Sequence, residues 1–131
     1  MYKYQTVIRL HLTDAAGVVY FANLFVLAHQ CYESFLEQNT SLVSIIEQKE
    51  FIIPIVHAEA DYRMPLRLSE KVVIEMALIK MANNSFELGF TFVNELSQVT
   101  TEVKTTHAVS QQNTRKPMGI PKFLKTALNR L

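Results

Sequence analysis

Asp14 is the residue of this chain best placed to do chemistry. It sits between an alternating segment and an apolar run, immediately ahead of Ala15-Ala16-Gly17. A carboxylate at a strand-to-helix junction lies close to backbone N–H groups that the first helical turn leaves unpaired. Such amides can polarise a carbonyl and hold the oxyanion that forms from it. Gly17 lets a ligand approach the backbone closely. Asp is also a common N-cap, and local physics leaves both roles open.

Three other groupings have chemical potential. His57, Glu59 and Asp61 alternate along one face of an extended segment and could hold a metal. No fourth ligand accompanies them, and the solvated face of a half-buried sheet carries the same pattern, which is the preferred reading. His29 and Glu33 stand four residues apart in helical sequence, either as a polar pair facing a pocket or around a satisfied histidine. Cys31, the one cysteine, lies in an apolar helical stretch and reads as a core residue rather than a nucleophile. No GxSxG, P-loop or GxGxxG pattern is present.

The elements that must position these groups follow from periodicity. Residues 2–12 alternate, with Tyr4, Thr6, Ile8, Leu10 and Leu12 on one face, and read as a strand. Thr13 to Gly17 is a turn with helix-start chemistry. From Val18 to about Gln38 the chain reads as one long helix, apolar almost all round in its first half and so buried. A short helix over 42–50 follows. Further strands are expected at 51–63 (with Pro54 marking an edge or bulge), 71–81, 85–94 and 98–109, and a short helix at 122–130. Short turns between the later strands make them antiparallel neighbours. One helix and five strands bury one another only if the sheet curls around the helix. The faces left over call for a second copy of the chain.

Composition narrows the classes. The 131 residues are 49% hydrophobic and 19% charged, with 3 Gly and 4 Pro, which suits one domain (1–131) of long regular elements. No apolar run reaches the roughly 18 residues of a membrane span, and no signal-peptide pattern opens the chain. A reducing, cytoplasmic setting is expected. Residues 1–109 carry 8 Lys/Arg against 12 Asp/Glu, a net of −4, whereas residues 110–131 carry five basic groups and no acid. A solvated basic helix end explains that tail better than a nucleic-acid surface.

The run Leu12-Thr13-Asp14-Ala15-Ala16-Gly17-Val18-Val19-Tyr20-Phe21-Ala22-Asn23 resembles the signature of the 4-hydroxybenzoyl-CoA thioesterase-like hotdog family. Pro54-Ile55-Val56, Asp61-Tyr62, Pro65, Ser85-Phe86 and Thr106-His107 extend the likeness over most of residues 4–124. The resemblance implies an α+β hotdog fold, a five-stranded antiparallel sheet wrapped around one long central helix. It implies Asp14 as the catalytic carboxylate, the Phe21 backbone amide in the first helical turns as oxyanion donor, and Gly17 as the shaper of the turn. Val56 and His57 are the implied flanks of the acyl pocket, and Tyr20, His29, Glu33, Asn84 and Ser85 are the further candidate substrate-binding positions. It further implies an acyl-CoA substrate, no metal or cofactor, no nucleic-acid or membrane partner, and homodimers assembling into homotetramers.

A narrower likeness rests on His29-Gln30-Cys31-Tyr32-Glu33-Ser34 with Pro54-Ile55-Val56-His57-Ala58. These segments resemble the cyanobacterial 1,4-dihydroxy-2-naphthoyl-CoA thioesterases of phylloquinone (vitamin K1) synthesis. Some relatives place basic residues, which meet the CoA phosphates, where this chain has Asn83 and Asn84. Lys80, Arg63 and the basic tail are the alternatives here. Within the same enzyme class, 4-hydroxybenzoyl-CoA, short acyl-CoA or carrier-bound substrates are alternatives. Outside it, the alternative is a non-catalytic protein that binds CoA esters.

Overall fold

A computed structural model describes all residues, 1–131. In chain order the elements are β1 (Tyr2–Val7), a 3-10 turn (Leu10–Leu12), α1 (Asn23–Asn39), α2 (Leu42–Gln48), β2 (Phe51–Ile52), β3 (Ile55–Tyr62), β4 (Lys71–Met81), β5 (Ser85–Asn94), β6 (Val99–Ala108), β7 (Ser110–Gln111) and α3 (Lys122–Leu128). Five strands form one antiparallel sheet in the order β1-β4-β5-β6-β3, and β2 pairs with β7 in a separate two-stranded ribbon. This is the expected α+β arrangement of five strands around a long helix.

The sheet's inner face is set by period-two alternation. Val72, Ile74 and Met76 of β4, Phe86, Leu88, Phe90 and Phe92 of β5, and Val103 of β6 are all buried. Against them lies α1, which buries Leu24, Leu27, Ala28, Cys31, Tyr32, Phe35 and Leu36. They form two adjacent rows four residues apart, 24-28-32-36 and 27-31-35, which is one face of an α-helix. The helix stops where Thr40 turns extended and its N–H and hydroxyl both bond the Leu36 carbonyl at 2.7 Å. α3 adds Leu124, Ala127 and Leu128 to the core and keeps Lys122 and Lys125 in solvent, as expected of a basic helix end. Cys31 is buried and free, and burial pushes its thiol up to about 12, so it is a core residue.

Three boundaries differ from expectation. β1 ends at Val7, not near residue 12: the chain bends around Glu70, with Ile8 N–H on its carbonyl at 2.9 Å, and Leu10–Leu12 wind into the 3-10 turn. The long helix begins at Asn23 rather than Val18. Val18 and Val19 are instead extended, bridging Arg67 and Thr13, as β-branched residues favour. Pro54 splits the expected 51–63 strand into β2 and β3, since it has no N–H to give a ladder.

The apolar run 18–28 is also not buried all round. Tyr20, Phe21 and Val26 are exposed, as are Ile55, Val56, Tyr62 and Met64 on and beyond the edge strand β3. No helix is long and apolar enough to cross a membrane.

Candidate active site

The loop between the 3-10 turn and α1 is built by its own backbone. The Asp14 N–H bonds Val18 O at 2.9 Å and the Gly17 N–H bonds Asp14 O at 3.0 Å, closing a tight turn. Gly17 takes φ = 75°, a left-handed conformation that L side chains resist. The Asp14 carboxylate accepts the Ala16 N–H through Oδ1 at 2.8 Å. Its other oxygen is left facing solvent, and the residue is exposed. Asp14 is therefore not a helix cap. It lies nine residues ahead of Asn23, and the α1 N-cap is Ala22, which makes no side-chain capping bond.

The loop then runs beside the segment that joins β3 to β4. Val19 N–H bonds Leu66 O at 2.8 Å, and Leu68 N–H bonds Gly17 O at 3.0 Å. Leu12 O receives both Tyr20 N–H (2.9 Å) and Asn23 Nδ2 (3.0 Å), which fixes the approach to α1. Residues 20–25 enter the helix through i→i+3 bonds from Asn23, Leu24 and Phe25. Phe21 thus stands two residues before α1, not within its first turns. Its N–H donates to no protein acceptor, while its carbonyl accepts the Tyr62 hydroxyl at 3.3 Å. A carboxylate and a free backbone donor on one short, braced loop can act together on a carbonyl and its attacking oxygen.

A cleft of about 410 Å³ opens beside this loop, walled mainly by Val18, Phe21, Leu24, Tyr62, Met64 and Leu66. The Tyr20 ring lies 4.7 Å from that of Phe21, at the same end. One turn further along α1, a smaller cavity of about 100 Å³ is lined by Phe25, His29, Tyr32, Ile55, Ala58, Phe90, Thr105 and His107.

The remaining candidates are more dispersed. A bulge between Ile55 and His57 shifts the β3 register, so Ile55 and Ala58 line the small cavity while Val56 and His57 stand exposed at the edge. His57, Glu59 and Asp61 do not converge as three into a metal-sized cluster, and His57 Nε2 approaches Glu59 at 3.8 Å. His29 packs edge-on to Tyr32 (5.8 Å) and makes no ion pair with Glu33. Asn84 and Ser85 occupy the β4–β5 turn, where Asn84 O accepts Val109 N–H. No hydrogen bond joins that turn to the Asp14 loop within one chain. Arg63 donates to Glu102 through Nε and Nη2 in an exposed ion pair.

Sequence reasoning misses Tyr62, Tyr32 and Thr105 as site residues, and gives His107 no role. The usable signal for the last two is the inward period Val103-Thr105-His107 on β6, which puts two polar side chains into the core.

A model of the thioesterase-like superfamily matches residues 8–128. The chain belongs to this family. It is 37% identical over 119 residues to a 1,4-dihydroxy-2-naphthoyl-CoA hydrolase of Rippkaea orientalis, covering 88% of this chain and 86% of the relative. To the enzyme of the same description from Synechococcus elongatus it is 33% identical over 126 residues, covering 95% and 92%. The crystal structure of a 1,4-dihydroxy-2-naphthoyl-CoA thioesterase from Synechocystis superposes with a TM-score of 0.94 at 28% identity, covering 99% of this chain and 96% of that one.

Proposed function

We propose that this chain hydrolyses 1,4-dihydroxy-2-naphthoyl-CoA to the free acid and CoA, a cytoplasmic step of phylloquinone synthesis. The observation that carries the proposal is the pairing of the Asp14 carboxylate with the unbonded Phe21 amide on one braced loop. The relatives described above, similar over nearly their whole length, support the choice of substrate.

In this mechanism the thioester carbonyl oxygen lies against the Phe21 N–H. One well-placed oxyanion donor is worth about 3–4 kcal/mol in the transition state. Asp14, with Oδ1 held by Ala16, turns its other oxygen on the carbonyl carbon or on the attacking water; both roles require the ionised form. Gly17 supplies the left-handed corner that brings the carboxylate round. Tyr20, His29 and Glu33 border the acyl group, and Asn84 and Ser85, with Lys80 beside them, meet the CoA nucleotide.

The active unit in this proposal is a dimer. β3 is an edge strand, and Val56 is 60% exposed and Phe21 56%. Apolar surface of this kind beside an open edge favours pairing with a second copy. Val56 and His57 of each chain then flank the other chain's acyl group, and two dimers assemble into a tetramer.

Free-thiol release from a panel of CoA esters tests the function: 1,4-dihydroxy-2-naphthoyl, 4-hydroxybenzoyl, benzoyl and short aliphatic. The expected result is a strong preference for the naphthoyl ester. Preference for another ester would keep the hydrolase and discard the substrate, and silence from folded protein would favour a binding role. Light scattering after size exclusion, expected to give two or four chains per particle, tests the assembly.

A further inference from the structure

We infer that Tyr32, Thr105 and His107 form a subsite that hydrogen-bonds a phenolic hydroxyl of the acyl ring at the inner end of the groove between α1 and β3. The inference rests on the aryl-CoA reading above and adds to it the groups that recognise the ring's substituent.

Tyr32 and Thr105 are each 6% exposed and His107 1%, in a core otherwise made almost wholly of hydrocarbon. Thr105 Oγ1 and His107 Nε2 bond each other at 2.8 Å. Tyr32 Oη and His107 Nδ1 have no partner in the protein. Buried polar groups are paired in the great majority of cases, because an unpaired one forfeits its bonds to water. Two orphans on touching rings, 4.9 Å apart between centroids, are not explained by packing. A phenylalanine at position 32 would supply the same ring contacts without the loss.

The cluster is also held in place. His107 stacks on Phe86 at 4.8 Å and 4°, so its ring cannot turn away to seek another partner. Burial lowers its pKa to about 4, which keeps the ring neutral, with one nitrogen donating and one accepting. A phenol both donates and accepts, and so fits either tautomer.

Access completes the case. Tyr32, Thr105 and His107 all line the cavity of about 100 Å³, together with Phe25, Ile55 and Ala58. It is smaller than the roughly 150 Å³ that houses a benzene, so it takes the edge of a ring with its substituent rather than the whole ring. Phe25, His29 and Tyr32 follow one another along α1 at i+4 and i+3, a single stripe that begins just beyond the Phe21 amide and ends at the cluster. From Phe25 to Tyr32 the helix rises roughly 10 Å, and helical side chains lean back toward the N-terminus.

The test compares 1,4-dihydroxy-2-naphthoyl-CoA with 1-hydroxy-2-naphthoyl-CoA, which differ only in the remote hydroxyl, under anaerobic conditions. Wild type is expected to favour the dihydroxy ester by about tenfold or more in kcat/KM. Tyr32→Phe and Thr105→Val are expected to bring that ratio close to one. Tyr32→Phe removes an orphan hydroxyl, so its Tm should be equal to or above wild type, which separates recognition from folding. A wild-type ratio near one, or a ratio that survives both substitutions, overturns the inference, the second result assigning the cavity to ordered water. If wild type hydrolyses neither ester, the functional proposal fails separately. Equilibrium binding of the two free acids to wild type and Tyr32→Phe then decides the subsite by the same ratio.

Discussion

The Tyr62 hydroxyl donates to the Phe21 carbonyl at 3.3 Å, and the two rings meet edge to face at 6.4 Å. The last residue of β3 thereby holds the peptide whose neighbouring N–H is the candidate oxyanion donor. Removing the hydroxyl leaves the ring contact but takes away one of the carbonyl's two donors, the other being the Leu24 N–H at 3.3 Å. Tyr62→Phe is expected to lower kcat about three- to tenfold, in line with one hydrogen bond, with a smaller change in KM. Steady-state kinetics on the preferred ester check this, and a large KM change with constant kcat would contradict the positioning role.

Asp14→Asn gives the sharper result. An Asn amide oxygen still accepts the Ala16 N–H, so the loop keeps its shape. The variant loses the charge that either route needs, and turnover should fall by about 10²–10⁴. Circular dichroism and substrate binding should stay close to wild type. Wild-type activity in Asp14→Asn would end the catalytic assignment.

At Gly17 the cost is conformational rather than steric. A Cβ there would meet nothing within 4 Å, yet φ is +75°. Gly17→Ala should lose about 1–2 kcal/mol, read as a lower midpoint in urea denaturation. An unchanged midpoint would show that the turn relaxes.

His107 couples stability to pH. Burial first, and nearby His29 second, lower its pKa from 6.5 to about 4 in the folded protein. Between those values the unfolded chain takes up a proton that the native state refuses. The contribution is therefore complete above about pH 6.5 and disappears as pH falls to about 4, a difference on the order of 3 kcal/mol. Urea midpoints for wild type should decline through this window more steeply than those of His107→Gln. Parallel slopes would place the titrating group elsewhere.

Legibility from sequence follows the range of the forces involved. β4 and β5 match their expected spans because two β-branched and aromatic runs on either side of the Asn83-Asn84 turn are a local signal. The start of α1 is five residues off because Val18 and Val19 are held by Arg67 and Leu66, almost fifty residues away. An apolar run alone cannot distinguish a bridge from a helix. The end of β1 is misplaced because Ile8, Leu10 and Leu12 continue the alternation while the chain turns about Glu70. Asp14, Gly17 and Phe21 were legible as a motif. Tyr62's grip on Phe21 and the meeting of Tyr32 with His107 depend on β3 and β6 arriving beside α1, and no local pattern reports that.

The pairing of β1 with β4 has a consequence for synthesis. Tyr2 faces Met76, so the first strand waits for 74 further residues before its partner exists. At 5–20 residues per second that wait lasts roughly 4–15 s on the ribosome. For the second half of it, the apolar face of α1 (Leu24, Leu27, Phe35) has been made while β5 and β6, central strands of the sheet it will rest on, have not. The nascent segment that ends with α1 thus offers an uncovered apolar face to holding chaperones, and the sheet closes over the helix only once β4, β5 and β6 have been made.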